Sequence, residues 1–464
     1  AGVLVEGGFD DGRGTALVGG RYSYTAGLLS LISPDVTLDY RDYQARVTYD
    51  ITDRDRVSLF AFGAYDFSSQ TEAGIETVLF GSEFYRVDGR YDARLEKGGK
   101  LRAAVTWGFD RTRVADGRNT NAHLVASRIN MEQPLDETLT MRLGFDVQHD
   151  IYRSEPQPYV DPDDPGAQAF NSLFPPRADG ATGAYFDVTW MPDPVIEVTP
   201  GVRVDGFFSN GASAVGVDPR LSIVTNLHPR VRILHARGLA HQPPAFIVPV
   251  PGLAVASLRD GLQRSLQASA GVEVKLPWKT TATVTGFSAV HMNMSDTIGV
   301  RPGPGADTQI PRSLGGAKGL EVYIRRSLSD RLGGFVSYTF SRTTRSIDGF
   351  TFPAAFDRSH VFHSAFNYHR GSRWRTGPRF SLYSGPPVLA VPTGLPDDFR
   401  PSDPDRDPPF YRLDIRVEKR WTIFETAWIS AVLEMLNATF NPETINTQSV
   451  GPVSIPSIGV EGGF

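Results

Sequence analysis

The sequence predicts an all-β fold, a transmembrane antiparallel β-barrel with about 21 strands in this chain and 22 in the complete barrel. Three observations carry that expectation. Apolar and polar side chains alternate with a two-residue period from end to end, short turn signals alternate with longer Pro/Gly/Asp-rich connections, and the chain closes on a strand-like run ending in Phe464. No stretch approaches the roughly 18 apolar residues that a membrane-spanning helix requires.

The alternation is clean in several places. Tyr43, Ala45, Val47, Tyr49 and Ile51 share one face, while Asp42, Gln44, Arg46, Thr48 and Asp50 share the other. Leu101, Ala103, Val105, Trp107 and Phe109 oppose Arg102, Ala104, Thr106, Gly108 and Asp110. Leu139 to Val147, Ala184 to Trp190 and Tyr411 to Val417 repeat the pattern. Period-two alternation also marks a half-buried soluble strand, so connection lengths must decide. Short turns are predicted at 10–13, 52–55, 97–99, 134–137, 191–194, 227–230, 277–279, 329–331, 369–372 and 422–426. Longer connections are predicted at 25–36, 68–81, 111–119, 151–179, 208–213, 241–263, 294–311, 344–356, 385–409 and 440–451. Outer-membrane barrels have short periplasmic turns and long extracellular loops, and a soluble sandwich has no reason to segregate lengths in this way.

Composition agrees. The 464 residues carry no linker or compositional shift that would divide them into domains, and the chain reads as one repeating object, residues 1–464. The mean hydropathy of −0.22 suits a barrel, whose strands span with about 9–11 residues and send alternate side chains to lipid and lumen. A net charge of −5 without basic runs argues against nucleic-acid binding, and the absence of cysteine rules out disulfides, thiolate zinc sites and thiol catalysis. No charged-then-apolar leader precedes Ala1, so a signal peptide is expected to have been removed or omitted. Aromatic residues including Phe60, Phe62, Trp190, Phe207, Phe208, Tyr338, Phe340, Trp374 and Trp421 are expected near strand ends, at the lipid headgroups. In the last strand, Ile458, Val460 and Phe464 form the pattern that the barrel assembly machinery reads.

A set of runs then points to a family. Tyr43-Gln44-Ala45-Arg46-Val47 and Asp55 to Phe62 come first, followed by Asp218-Pro219-Arg220-Leu221-Ser222, Gly238 to Pro244 and Lys318-Gly319-Leu320-Glu321-Val322. Phe356-Asp357-Arg358-Ser359-His360, Pro409 to Trp421 and Leu436-Asn437-Ala438-Thr439 complete the order. Together they resemble the barrel of TonB-dependent outer-membrane receptors, active transporters for siderophores, cobalamin, carbohydrates and similar cargo. The resemblance implies a plug domain inside a 22-stranded barrel and a TonB box that binds the energising complex. Neither plug nor TonB box is found in this chain. Ten short turns and ten long loops separate 21 strands, so first and last strands both run downward, and one rising strand is expected upstream of Ala1 or on another polypeptide. An odd-stranded closure like that of mitochondrial porins is the alternative.

Chemistry is sparse. His360 and His363, three apart on a strand, fall on opposite faces and do not jointly hold a metal. Asp161, Asp163 and Asp164, and the run from Asp397 to Asp407, offer carboxylates but lack EF-hand spacing, so solvated extracellular turns are expected. No nucleophile elbow, phosphate loop or H-E-x-x-H motif occurs, and neither enzymatic activity nor a cofactor is expected. Lumen-facing Arg203, Asp205, Arg412, Asp414, Arg416 and Glu418 are expected to form cross-strand ion pairs and to anchor the plug, with direct cargo contact as the alternative. The expected function is uptake of a siderophore-like or other small nutrient with a plug supplied upstream or in trans, in contact with outer-membrane lipid and the TonB complex. A plugless or separately plugged barrel serving as scaffold or pore in an outer-membrane assembly is the alternative. The C-terminus is expected in the periplasm and the long loops outside. Deleting Phe464 is expected to impair insertion, read as loss of the heat-modifiable band from outer-membrane fractions; unchanged assembly would remove the terminal-signal reading.

Overall fold

The computed structural model describes residues 1–23, 35–114, 119–155, 164–172, 174–244, 258–295, 313–328, 331–347, 350–371, 373–388, 405–423, 426–445 and 447–463. Phe464, much of the 25–36, 241–263, 294–311 and 385–409 connections, and Asp161, Asp163 and Asp397 to Asp403 lie outside the described residues. The strands are β1 (Gly2–Phe9), β2 (Gly14–Tyr22), β3 (Val36–Asp50), β4 (Asp55–Glu72), β5 (Ile75–Arg94), β6 (Lys100–Val114), β7 (Asn119–Pro134) and β8 (Leu139–Glu155). They continue with β9 (Arg177–Asp193), β10 (Ile196–Ser209), β11 (Ala212–His228), β12 (Val231–Gln242), β13 (Gln263–Leu276), β14 (Thr280–Met294), β15 (Ser313–Arg326) and β16 (Leu332–Ile347). The last are β17 (Phe350–Pro353), β18 (His360–Arg370), β19 (Trp374–Tyr383), β20 (Phe410–Thr422), β21 (Trp428–Leu436), β22 (Glu443–Ile445), β23 (Gln448–Val450) and β24 (Ile455–Gly463). Among the described residues a short α-helix, α1 (Pro165–Ser172), lies within the 151–179 connection.

Twenty-two strands form one sheet and β22 pairs with β23 apart from it. The sheet contains the 21 expected strands plus β17, a four-residue return that pairs with the end of β16 inside the 344–356 connection. Seven of the ten short turns are described throughout and fall where expected, with local chemistry, and those at 329–331, 369–372 and 422–426 include residues outside the described ones. Asp136 Oδ1 accepts from Thr138 N at 2.7 Å, Asp193 Oδ1 from Val195 N and Ile196 N at 2.7 and 3.0 Å, and Thr52 Oγ1 from Asp55 N at 3.0 Å. Short side-chain oxygens thus replace the ladder where the backbone reverses.

The long connections need correction. Residues 68–81 are not a loop, because β4 and β5 stay paired to Glu72↔Ile75 and reverse at Ala73 and Gly74, with φ of 51° and 80°. Residues 208–213 likewise hold a two-residue turn at Asn210 and Gly211, with φ of 47° and 72°. Two successive left-handed residues suit the twist of a tight hairpin. Strand pairing between β4 and β5 therefore runs well past the roughly 9–11 residues that cross a bilayer.

The chain divides into two compact units. The first comprises Ala1–Trp190, Thr199–Pro219 and His241–Leu262, and the second Met191–Val198, Arg220–Ala240 and Gln263–Phe464. In the first, β3 to β8 pair in unbroken order, so side chains line up in rows across the strands. The row Val47, Leu59, Gly89, Val105, Ser127, Val147 lies on one face, where Leu59 is 55% and Val105 59% exposed. In the second, Val272 and Val284 are opposed and exposed, and Ile458 and Val460 of β24 pair with Leu433 and Ala431 while remaining exposed themselves.

Burial is inverted relative to a water-soluble protein. Among the described residues, eight apolar side chains are buried against eighteen polar or charged ones, while Leu, Val, Ile and aromatic side chains line the exposed face. An apolar surface this extensive needs hydrocarbon to cover it. Phe60 and Phe62 correct the aromatic expectation: they fall in phase with Arg56 and Ser58 on the polar face, where Phe62 meets Phe84 edge-on at 5.8 Å. An aromatic row in the first unit runs through exposed Tyr43, half-buried Tyr85 and Phe109, and exposed His123, with successive ring centroids 6.2, 6.3 and 5.1 Å apart. Leu59→Arg is expected to lower stability by about 2–4 kcal/mol in urea titrations of the folded protein in lipid, as a charge placed near the bilayer midplane. Thr48→Arg on the opposite face is expected to change it little.

Candidate functional site

The polar face of the first unit is built from charges set directly opposite one another. At the short-turn end, Asp50 faces Arg56, Asp92 faces Arg102 and Glu132 faces Arg142, each pair closing one hairpin. Arg56 holds Asp50 with two bonds of 2.5 and 2.9 Å, Arg102 Nε reaches Asp92 at 2.6 Å, and Arg142 Nε reaches Glu132 at 3.0 Å. Register also sets Arg56 beside Asp92 and Arg142 beside Asp187, so acids and bases alternate along the belt. A cavity of about 1250 Å³ opens over it, lined by Arg13, Asp50, Arg56, Asp92, Arg102 and Arg142. Nearer the loops, a second of about 950 Å³ sets Phe62 and Phe84 beside Arg21 and Asp42.

Two of the sequence-predicted residues meet at a caged guanidinium. Arg203 on β10 grips Asp146 of β8 through Nη1 and Nη2, both at 2.9 Å, and binds Asp205 through Nε and Nη2 at 2.6–3.0 Å. The side chain crosses β9 to do so, at Gly183, whose register partner is Asp146. A Cβ there would lie 2.2 Å from both Arg203 Nη2 and Asp205 Oδ1. The glycine is thus a passage for the ion pair.

The other four gather in the second unit. Arg412 binds Asp414 at 2.9 Å, and Asp414 accepts the backbone N–H of Asn437 at 2.9 Å. Arg416 bonds Glu434 and reaches Glu461 of the last strand at 2.9 Å. Glu418, nearly buried, accepts from Ser430 at 2.9 Å and pairs with Arg420 at 3.1 Å and Arg375 at 3.6 Å. These interlocked pairs tie β19, β20, β21 and β24 together on the polar face. Bidentate and multiply bonded pairs of this kind hold side chains in one orientation.

Sequence reasoning missed a further centre. Asp357 is 2% exposed and receives Arg406 Nη2 at 2.6 Å and Thr343 N at 2.7 Å, while Arg406 Nη1 donates to the carbonyls of Asp357 and Gly385. Asp407, expected in a solvated turn, is buried and accepts Thr447 N at 3.0 Å, and Arg358 pairs with Glu443 at 2.8 Å. The clue lay in the motif runs, which meet each other in space: Asp218 receives His241 N at 3.2 Å and sits 2.5 Å from its Nδ1, as Asp414 receives Asn437. His360 and His363 serve separately, His360 against the Tyr338 hydroxyl at 2.8 Å and His363 against Ser381 Oγ at 3.1 Å. Gly183→Ala is expected to cost about 1–3 kcal/mol of stability by displacing the Arg203 cage. Because both changes disrupt one cage, adding Arg203→Ala should cost less in that background than in the wild type; full additivity in urea titrations would refute the passage role.

The family described as TonB dependent receptor-like, beta-barrel matches residues 4–441. None of the curated protein sequences matches the chain significantly. Among solved structures, the ferric-catecholate import receptor Fiu of E. coli K12 superposes with a TM-score of 0.70 at 10% identity, over 99% of this chain and 78% of that one. The FrpB iron transporter of Neisseria meningitidis gives 0.71 at 12% over 99% and 81%, and the siderophore receptor PirA of Acinetobacter baumannii 0.70 at 12% over 99% and 76%. At such identities the likeness establishes the fold, and the family match establishes kinship. The family is one of transporters and receptors, not enzymes. The chain belongs to the TonB-dependent receptor-like β-barrel family, and is a receptor-type transporter barrel of the bacterial outer membrane.

Proposed function

We propose that this barrel takes up a small chelated-metal cargo of siderophore type, together with a plug domain that seats on its polar face. The single observation that supports the reading most is the wall of interlocked charges. Arg203 with Asp146 and Asp205, and Arg416 with Glu418 and Glu434, present carboxylates and guanidiniums already oriented by one another. Such a surface suits a polar domain that must be held firmly and yet be moved, because its own charges remain satisfied when the partner leaves. In this reading Arg412 and Asp414 belong to the same anchoring wall, the TonB complex supplies the energy, and the plug lies upstream or on a separate chain. The short turns face the periplasm with the C-terminus, the loops face outward, and Ile458, Val460 and Phe464 are the assembly signal. The cargo class rests on analogy with the ferric-catecholate receptor, the iron transporter and the siderophore receptor compared above.

The test is uptake of ⁵⁵Fe presented as ferric catecholate, ferric hydroxamate and ferric citrate by iron-starved cells with and without the gene. Loss of one chelate's uptake on deletion, its return on complementation and its abolition by a protonophore are expected. Wild-type uptake of every chelate by the deletion strain would overturn the metal-chelate reading.

A further inference from the structure

We propose that three of the connections in the second unit form a closed clasp and open only together. They are residues 354–359 between β17 and β18, the neck of the 385–409 connection between β19 and β20, and the β22–β23 hairpin between β21 and β24. All three leave the same end of strands that pair in succession from β16 to β24. The neck is closed by its own backbone. Pro387 bridges to Arg406, Val388 N donates to Asp405 O at 2.7 Å, and Asp407 N donates to Pro386 O at 3.0 Å. Gly385 permits the approach, since a Cβ there would lie 1.6 Å from Asp407 O. Arg406 and Asp407 therefore project from a fixed piece of chain.

These two side chains reach in different directions. Arg406 donates to Asp357 at 2.6 Å, which joins the neck to residues 354–359, and Asp407 accepts Thr447 N at 3.0 Å, which joins it to the hairpin. Arg358, next to Asp357, closes the third side by donating to Glu443 at 2.8 Å. Each connection is thus bonded to both of the others. In two of them the two bonds leave from adjacent residues, Asp357 with Arg358 and Arg406 with Asp407. A planar peptide links such neighbours, so a backbone rotation that breaks one bond also displaces the other. The strands supply the fixed points: Thr343 N of β16 donates to Asp357 at 2.7 Å, and the Arg358 guanidinium lies 5.1 Å over the Tyr383 ring of β19.

Burial makes the opening cooperative. Asp357 and Asp407 are both buried, and a carboxylate so placed is stable only while its donors remain. Displacing one connection strips a buried acid of a donor, and the penalty for the next falls once water has entered at the first opening. A partner or cargo that bears on any one of the three connections accordingly moves all of them.

Amide hydrogen exchange of the detergent-purified protein tests the clasp at bonds that the substitution does not touch. Asp357→Asn weakens the side that runs to Arg406, and exchange at Thr447 and in β23 is expected to rise by about fivefold or more. Glu443→Gln weakens the side that runs to Arg358, and a rise of about the same size is expected at Val388 and Asp407. Arg342→Gln, whose guanidinium stands 3.8 Å from Asp357, should change neither region. Heat-modifiable migration establishes that each variant is folded, and if Asp357→Asn does not fold, Glu443→Gln alone decides. Acceleration confined to the two connections that the weakened link joins, with the third unchanged, would overturn the proposal. So would equal acceleration at Thr280, in the short turn between β13 and β14, because the whole unit would then have loosened.

Discussion

The rest of the structure depends on one constraint: inside hydrocarbon, each backbone N–H and C=O must find its partner within the protein. A β-strand meets it only by lying between two others, and the unbroken ladders from β3 through β8 and from β13 through β16 are what that requirement looks like residue by residue. Where a strand is paired on both edges, as β3 to β8 are, its side chains have only two directions to go. The choice of direction is then a matter of solvent, lipid on one side and water or protein on the other.

That division explains the inverted burial and the character of the polar face. Charges that would be costly if isolated are placed in register with their opposites, so the hairpin that brings Asp50 opposite Arg56 also neutralises both. Where the partner is two strands away the wall makes room, as Gly183 does for Arg203. The result, in the pairs described, is a surface that is charged yet self-satisfied, with groups held in fixed orientation by one another. The loop anchors at Asp357 and Asp407 extend the same economy beyond the membrane, tying separate segments to the ends of the strands through single buried carboxylates.

Much of the fold was legible because period and turn chemistry are local. Asp136 with Thr138, or Asp193 with Val195, announces a reversal within a few residues, and phase along a strand tells which side chains share a face. The same phase argument would have moved Phe60 and Phe62 to the polar side, since they keep step with Arg56 and Ser58. Loop lengths were less legible. Gly- and Ser-bearing runs near 68–81 read as connection, yet tertiary pairing overrides weak local strand propensity, and β4 and β5 continue through them.

By itself, then, the sequence determined the all-β class, the strands, the reversals between them and the two-faced character of the wall, because each follows from residues only a few positions apart. Tertiary structure alone decided the partners. That Arg203 reaches Asp146 across a glycine is a consequence of register, and that Asp357 collects Arg406 from 49 residues away follows from how two connections meet. Register is a relation between strands, set by how each ladder slides against the next, and no single strand contains it.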